Sequence, residues 1–485
     1  MRMFSIPTAT RTFIALACAV TCLASSAATI TISKRDAPGV GFNDPTPVAP
    51  VGGNMGTTLG EQRYIVYRHV ADIWERNLQS NVNITVSAGW EALTCTANSA
   101  VLGSAGAWNI WHDFPGALPN TWYHQALANK IAGTNLSEGE PDDGTGYGNV
   151  DIKTQFNANL GNPDCLAGSS FYLGLDGKAG SNVNFVETLL HELGHGLGFS
   201  ALTITTSTGA RVQNRPSVWE QFMYDNTAQK TWLNMTDAER KASAVNPLKL
   251  AWIGTNAVKA AALLKATPVL QITSPQPGAS RVIDYNPSPF GAVPVTPSTF
   301  GALANIKAQA GEAGPGCAPY EAANTMAVKG KVAIISRGGC TFVIKVKNAQ
   351  NAGAIGAILV NNVAGALLPA GADGSITIPS GAVAMADGDL LKAAVPGAVP
   401  YGSRNGPGTA TALWSSDPTR IAGADSRGRP LLYTPSVLAS GSSVSHWDVS
   451  ASPNLLMEPN INADLGIVLD APKDLTLPLM RDIGW

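Results

Sequence analysis

The sequence is poor in charge, and its few charges nearly balance. Only 14% of its 485 residues are Asp, Glu, Lys or Arg, and the formal net charge is -2. Such a chain offers no basic surface for a phosphate backbone, so we expect no nucleic-acid partner. Beyond the N-terminal region it lacks any unbroken apolar run of about 18 residues, so we expect no membrane span in the mature protein. The length nevertheless suits two or three domains, and a hydrophobic fraction of 45% supplies their cores.

The main apolar run lies at the N-terminus. Arg2 and Arg11 precede the stretch Phe13–Val20, and small residues at 25–28 offer a cleavage site. This order of basic, apolar and small residues is typical of a secretory signal peptide. We therefore predict a signal peptide over residues 1–28 and a secreted, extracellular protein.

Cysteine is also scarce, with six residues in the whole chain. Removal of the predicted signal peptide leaves Cys95, Cys165, Cys317 and Cys340. An even number in an exported chain indicates disulfides, for which three pairings are possible. Locality favours Cys95 with Cys165 and Cys317 with Cys340, because each pair then falls within one predicted domain.

Only six histidines are present, and two of them fall in His191-Glu192-Leu193-Gly194-His195. On an α-helix, positions i and i+4 share one face, so both imidazoles can bind one metal ion. Glu192 is placed to act on water rather than on the metal. The apolar residues around the motif predict a buried helix over about 183–198, and Gly194 and Gly196 indicate that something packs closely against it. Gly198 suits a left-handed helix end.

A hydrolytic zinc site needs three protein ligands and an open position. His191–Phe199 resembles the metzincin signature H-E-x-x-H-x-x-G-x-x-H, except that Ala201 stands where the last histidine is expected. Ser443–Asp448 and Asn454–Pro459 resemble the leishmanolysin-type branch of the metzincins, in which the third histidine lies far down the chain and a methionine turn follows it. The resemblance implies that His191, His195 and His446 hold Zn2+, that Glu192 is the catalytic base and that Met457 is the turn methionine.

Other residues are alternatives for these roles. Glu220 is the rival third ligand, since thermolysin-like enzymes complete their site with a downstream glutamate. Asp448 is a candidate acceptor that would orient a ligand imidazole. His69, His112 and His124 are interpreted as structural.

The residue pattern of the chain changes between residues 266 and 399. A strand, a helix and a second strand are predicted over 331–336, 342–352 and 354–360. The block is similar to the protease-associated (PA) domain at Arg337–Phe342, Ala352-Gly353-Ala354, Asn361-Asn362 and Ile378–Ser380. This resemblance implies one folded domain inserted into a catalytic domain made of residues 29–265 and 400–485.

Before the motif, the pattern predicts a helix over 61–78 and strands at 83–86 and 171–175. The last of these is interpreted as an edge strand that binds an extended peptide by strand addition. The predicted fold is therefore α+β, a zincin or metzincin catalytic domain interrupted by an α/β PA domain.

Residues 142–151 form an acidic, glycine-rich loop that is a candidate Ca2+ site, although a solvated loop is the simpler interpretation because EF-hand spacing is missing. The predicted function is a secreted, zinc-dependent endopeptidase acting on protein or peptide substrates. The alternative is a secreted binding or adhesion protein with a structural or inactive zinc site. Glu192 argues against that alternative, because a structural site needs no base.

Overall fold

The computed structural model describes residues 26–485 except 98, 139–148, 204–207, 276–279, 293–299, 364–366, 368, 370, 372, 396–409 and 463. Strand pairing and side-chain packing separate a main domain, residues 26–265 and 422–485, from an inserted domain, residues 266–421. One hydrophobic core fills the main domain, and two further cores cover the two faces of the sheet in the inserted domain.

The main domain mixes helices with short strands. Its strands are β1 (Ile30–Lys34), β2 (Ile84–Glu91), β3 (Cys95–Thr96), β4 (Ser99–Ala100), β5 (Gly103–Ala107), β6 (Ile110–Trp111), β7 (Tyr123–His124), β8 (Ile152–Asn157), β9 (Phe171–Tyr172), β10 (Val183–Asn184), β11 (Met223–Asp225), β12 (Lys230–Thr231) and β13 (Leu250–Trp252). Its helices are α1 (Leu59–Asn77), α2 (Gln125–Ala132), α3 (Phe185–Gly196), α4 (Asp237–Ser243), α5 (Thr255–Ala260) and, after the inserted domain, α9 (Thr476–Ile483).

The central sheet of the main domain has the strand order β1-β2-β8-β5. The first three strands are parallel, with Ile30 opposite Ile84 and Val86 opposite Ile152. β5 runs antiparallel to β8 at the edge, with Ala105 opposite Thr154. Helices α1 and α3 pack together beside this sheet, and α3 lies against the edge strand β5.

Local sequence explains where these two helices begin. Thr58 and Glu61 form a capping box at the start of α1, which satisfies backbone N–H groups that have no partner within the helix. The Asn184 side chain accepts hydrogen bonds from the N–H groups of Val186 and Glu187 at the start of α3. Apolar residues surround α3 because it runs through the core.

The inserted domain contains an eight-stranded sheet. Its elements are β14 (Ala266–Thr273), β15 (Arg281–Asp284), β16 (Asn286–Pro287), β17 (Phe300–Asn305), α6 (Ala322–Val328), β18 (Val332–Ser336), α7 (Phe342–Asn351), β19 (Gly356–Val360), β20 (Ser380–Val383), α8 (Met385–Ala394) and β21 (Thr411–Ile421). The strand order of this sheet is β15-β14-β21-β17-β18-β19-β20-β16. Strands β17, β18, β19 and β20 are parallel neighbours; α6 connects β17 to β18, and α7 connects β18 to β19.

Two sequence expectations differ from these elements. The domain boundary expected at residue 399 leaves out β21, which pairs with both β14 and β17 and so belongs to the sheet of the inserted domain. The strand expected at 171–175 is only Phe171–Tyr172, and it pairs with Val183–Asn184 rather than with the central sheet. The edge strand beside α3 is β5, which the sequence analysis did not identify because Gly103–Ala107 has no apolar alternation.

The structure confirms both disulfide pairings. Cys95 is bonded to Cys165 in the main domain, and Cys317 is bonded to Cys340 in the inserted domain. Over the described part of the chain, no helix combines the length and the apolar character needed to cross a bilayer.

Candidate metal centre

Two histidines of α3 meet a third histidine from a distant part of the chain. The Nε2 atom of His195 lies 3.0 Å from that of His191 and 3.1 Å from that of His446, and the third side of the triangle is 3.2 Å. Among the described residues, these three form the only group of three or more His, Cys, Asp or Glu side chains whose ligand atoms converge. The structure therefore brings together the residues that the metzincin resemblance implied.

The other ring nitrogen of each imidazole is bound to a backbone carbonyl. Nδ1 of His191 donates to the carbonyl of Leu456 at 2.7 Å, and Nδ1 of His195 donates to that of Phe199 at 2.7 Å. Nδ1 of His446 donates to the carbonyl of Ser442 at 2.8 Å. A carbonyl only accepts, so each proton resides on Nδ1 and each Nε2 presents a lone pair. Three lone pairs thus face one another without a proton between them.

This arrangement fits a zinc ion. With Zn–N bonds of about 2.0–2.1 Å, a tetrahedral ion separates its ligand nitrogens by about 3.3 Å, close to the observed triangle. Burial lowers the pKa of His191 to about 4 and that of His195 to about 3, and it holds the pKa of His446 well below its usual value. All three rings are therefore neutral at pH 7, as metal ligands must be.

Glu192 lies between the two helix histidines in sequence and beside the edge strand in space. Burial raises the pKa of its carboxyl group to about 7, and a hydrogen bond from the backbone N–H of Ala105 in β5 opposes that rise. A carboxylate whose pKa is close to neutrality can both accept and return a proton near pH 7.

Met457 packs beneath the helix that carries two of the histidines. A Cβ atom added at Gly194 would stand 2.8 Å from Met457 Sδ, and one added at Gly196 would stand 2.3 Å from Ile152 Cγ2. These close approaches are the packing that the two glycines indicated in the sequence. The backbone N–H of Trp447 donates to the carbonyl of Met457 at 2.8 Å, so the methionine segment is tied to the segment of His446.

The helix end is linked to the segment of His446. Gly198 has a φ of +120°, a left-handed value that favours glycine. The backbone N–H of Ala201 donates to Oγ of Ser445 at 3.1 Å. Ala201, which stands where the resembled signature H-E-x-x-H-x-x-G-x-x-H has its last histidine, is therefore attached to the residue preceding His446.

Glu220 does not join the three histidines. Its buried carboxylate accepts from Arg211 Nε at 2.7 Å and from Thr203 Oγ1 at 2.7 Å. Asp448 likewise accepts from Ser450 and not from a ligand imidazole, because backbone carbonyls already bind all three Nδ1 atoms.

The remaining histidines do not join the three converging ligand atoms. His69 is in the middle of α1, and Nδ1 of His112 lies 2.7 Å from Asp113 Oδ2. His124 is buried, with Nε2 2.7 Å from Oγ of Ser200. Of the acidic loop considered for calcium, residues 142–148 lie outside the described residues. Its last residue, Asp151, binds the backbone N–H of Thr85.

Sequence reasoning missed the groups that orient the ligands. The acceptors are the backbone carbonyls of Leu456, Phe199 and Ser442. Residue type does not indicate such a role, because every residue has a carbonyl. The Phe199 carbonyl alone had a signal, since Gly198 predicted that the chain turns back at that point.

Comparison with known proteins identifies part of the inserted domain. Residues 299–391 match the family model of the PA domain, which confirms that assignment. No curated protein matches the chain.

Solved structures match only in part. A zinc aminopeptidase from Bacillus subtilis is 22% identical over 33% of this chain and 35% of that chain, with a TM-score of 0.20. An aminopeptidase from Aneurinibacillus sp. strain AM-1 is 17% identical over 41% and 42%, with a TM-score of 0.20. A peptidase M28 precursor from Shewanella amazonensis is 16% identical over 37% and 42%, with a TM-score of 0.21. The chain thus spans well under half the length of each. The identified part is the PA domain, carried within a mixed α/β protein.

Proposed function

We propose that this protein is a secreted, zinc-dependent endopeptidase of the leishmanolysin-like metzincin type. The observation that carries the proposal is the convergence of the Nε2 atoms of His191, His195 and His446 within 3.0–3.2 Å. The Nδ1–H bonds to backbone carbonyls support it, because they leave all three lone pairs available to one cation.

A bound zinc ion would supply Lewis-acid activation of water and of the scissile carbonyl. The chain supplies the proton transfers. Glu192 takes a proton from the attacking water and returns it to the leaving amine, a role suited to a carboxyl group with a pKa of about 7. The Ala105 N–H holds the Glu192 carboxylate toward the edge strand, where a substrate would lie.

Three contacts support the displaced-histidine type over the thermolysin-like type. Met457 lies directly under Gly194 of α3, as the turn methionine of the resemblance requires. Glu220, the alternative ligand, is neutralised by Arg211 instead. The hydrogen bond from the Ala201 N–H to Ser445 supports the same type, because it attaches the vacated position to the residue preceding His446.

The edge strand supports cleavage within peptide chains. The carbonyl of Leu102 accepts from the N–H of Asn157, and the N–H of Trp108 donates to the carbonyl of Asp151. The residues that flank β5 therefore direct these backbone groups toward β8. In an antiparallel pair these directions alternate, so Gly103, Ala105 and Ala107 direct theirs away from β8, and of these groups the Ala105 N–H already binds Glu192. A substrate can add there as a strand that extends to both sides of the cleaved bond.

The test compares two variants of the same helix. Glu192→Gln should retain about one zinc per chain by metal analysis. It should cleave casein at least about 100-fold more slowly than the parent, because the general base is gone. Glu187→Gln, a matched change five residues earlier on the same helix, should keep both zinc and activity. Equal cleavage by the Glu192→Gln variant and the parent contradicts the mechanism.

Two substrates separate the possible activities. An endopeptidase cleaves casein internally and leaves an aminoacyl p-nitroanilide intact, whereas an aminopeptidase does the reverse. A protein that binds zinc but cleaves neither substrate is instead the binding or adhesion protein considered above. Secretion is supported by the two disulfides and is tested by N-terminal sequencing of exported protein, which should begin near residue 29.

A further inference from the structure

Leu456, which orients His191, is hydrogen-bonded through both its backbone carbonyl and its backbone N–H. Nδ1 of His191 donates to the carbonyl of Leu456 at 2.7 Å. The N–H group of Leu456 donates in turn to Oδ2 of Asp474 at 2.8 Å. The conformation of Leu456 is thereby fixed between the imidazole of His191 and the carboxylate of Asp474.

Asp474 is buried, with 4% of its surface exposed, and sits at the start of α9. Its Oδ1 accepts the backbone N–H of Thr476 at 2.7 Å and also the Thr476 hydroxyl. Every hydrogen-bond partner that the structure gives this carboxylate is a neutral donor. Hydrogen bonds to a charged acceptor are about twice as strong as neutral ones, so this carboxylate binds the Leu456 segment firmly to the C-terminal helix.

We propose that Asp474 is a positioning residue for the metal site, acting through Leu456 on His191. The inference rests on the proposed zinc site. Loss of the carboxylate frees the Leu456 N–H, and the carbonyl of the same residue then no longer holds the imidazole in one orientation. Groups that orient ligand histidines typically change metal affinity about 10–100-fold when they are removed.

Glu458 provides a matched control. It is also buried, at 1% exposure, and it also accepts a backbone N–H from the methionine segment, that of Leu455 at 2.8 Å. Its second partner is the Asn462 amide at 3.1 Å. The carbonyls that bind the three imidazoles belong to Leu456, Phe199 and Ser442, so Glu458 supports the same segment without contacting a residue that orients a ligand.

The experiment measures the zinc dissociation constant of the full-length protein by competition with a chromophoric chelator, for wild type, Asp474→Asn and Glu458→Gln. The visible spectrum of the cobalt(II)-substituted protein reports the ligand geometry independently of stability. Asp474→Asn should raise the dissociation constant about 10-fold and alter the cobalt spectrum. Glu458→Gln should stay within about 2-fold of wild type, with an unchanged spectrum.

Unchanged zinc affinity and spectrum in Asp474→Asn, or equal changes in both variants, overturns the inference. Should Asp474→Asn fail to fold, Thr476→Val gives the answer, because it removes only one donor to the carboxylate. A several-fold weaker zinc affinity in that variant supports the inference, and wild-type affinity overturns it. A wild-type protein that binds no zinc overturns the proposed function as well, whereas a zinc-binding wild type with unaffected variants overturns this inference alone.

Discussion

Gly194→Ala tests whether Met457 really supports the helix of the metal site. The added Cβ would stand 2.8 Å from Met457 Sδ and 3.1 Å from its Cε, while the next nearest atom, Trp74 Cζ2, is at an ordinary 3.6 Å. Alanine favours the helix over glycine by about 1 kcal/mol. Overpacking against a buried side chain costs about 1–3 kcal/mol, and Met457 has no exposed surface into which it could move. We expect a net loss of about 1 kcal/mol in the free energy of unfolding.

The decisive comparison is made in the background of Met457→Ala. Without the methionine side chain the new methyl group meets no close neighbour, so Gly194→Ala should now stabilise the protein by about 1 kcal/mol. The sign of the effect should therefore reverse, which corresponds to a coupling free energy of about 2 kcal/mol.

The assay is denaturant unfolding with a chelator present, in a Glu192→Gln background that prevents self-digestion. Gly106→Ala is the control, because an added Cβ there meets no atom within 4 Å and should not destabilise the protein. A Gly194→Ala variant that is as stable as its parent, with no coupling to Met457→Ala, would refute the packing argument.

Three further predictions concern stability and metal binding. Burial raises the pKa of Asp151 to about 6, so the folded state holds a proton that the unfolded state releases near pH 4. Asp151→Asn should therefore gain stability relative to wild type by up to about 3 kcal/mol as the pH rises from 4 to 7, and a difference that is constant with pH contradicts this. Replacing both cysteines of a disulfide by serine should lower the free energy of unfolding by about 3 kcal/mol for Cys317–Cys340, spaced 23 residues apart, and by about 4 kcal/mol for Cys95–Cys165, spaced 70 apart. The variant without Cys317–Cys340 should still cleave casein. His446→Ala should lose zinc and activity, whereas Glu220→Ala should retain its zinc. Loss of zinc in Glu220→Ala alone would favour a thermolysin-like site.

Much of this site was predictable because the types of its residues and their spacing along the chain indicate metal binding. The i, i+4 spacing of His191 and His195 puts both side chains on one face of a helix, and the structure has that helix. Gly194 and Gly196 indicated close packing before the packing partners were known. The scarcity of histidine limited the candidates for a third ligand, and the resemblance at His446 and Met457 selected one.

The rest depended on tertiary contacts that a single sequence does not encode locally. β5 contains only glycine, alanine and serine, so it lacks the apolar alternation that reveals a strand, and its role comes from lying between β8 and the open edge. The end of the inserted domain was misplaced because β21 is separated from its partner strands by long stretches of chain. The carbonyl of Leu456 gave no signal at all, because every residue has a carbonyl.

The proposed function requires that His191, His195 and His446 hold one zinc ion. Anomalous X-ray scattering at the zinc edge, from crystals of the Glu192→Gln protein, tests it directly. We expect one peak about 2.0–2.1 Å from the Nε2 atom of each of the three histidines. A peak beside Glu220 with His446 remote from it, or no zinc among the three rings, would rule out a zinc site of these three histidines.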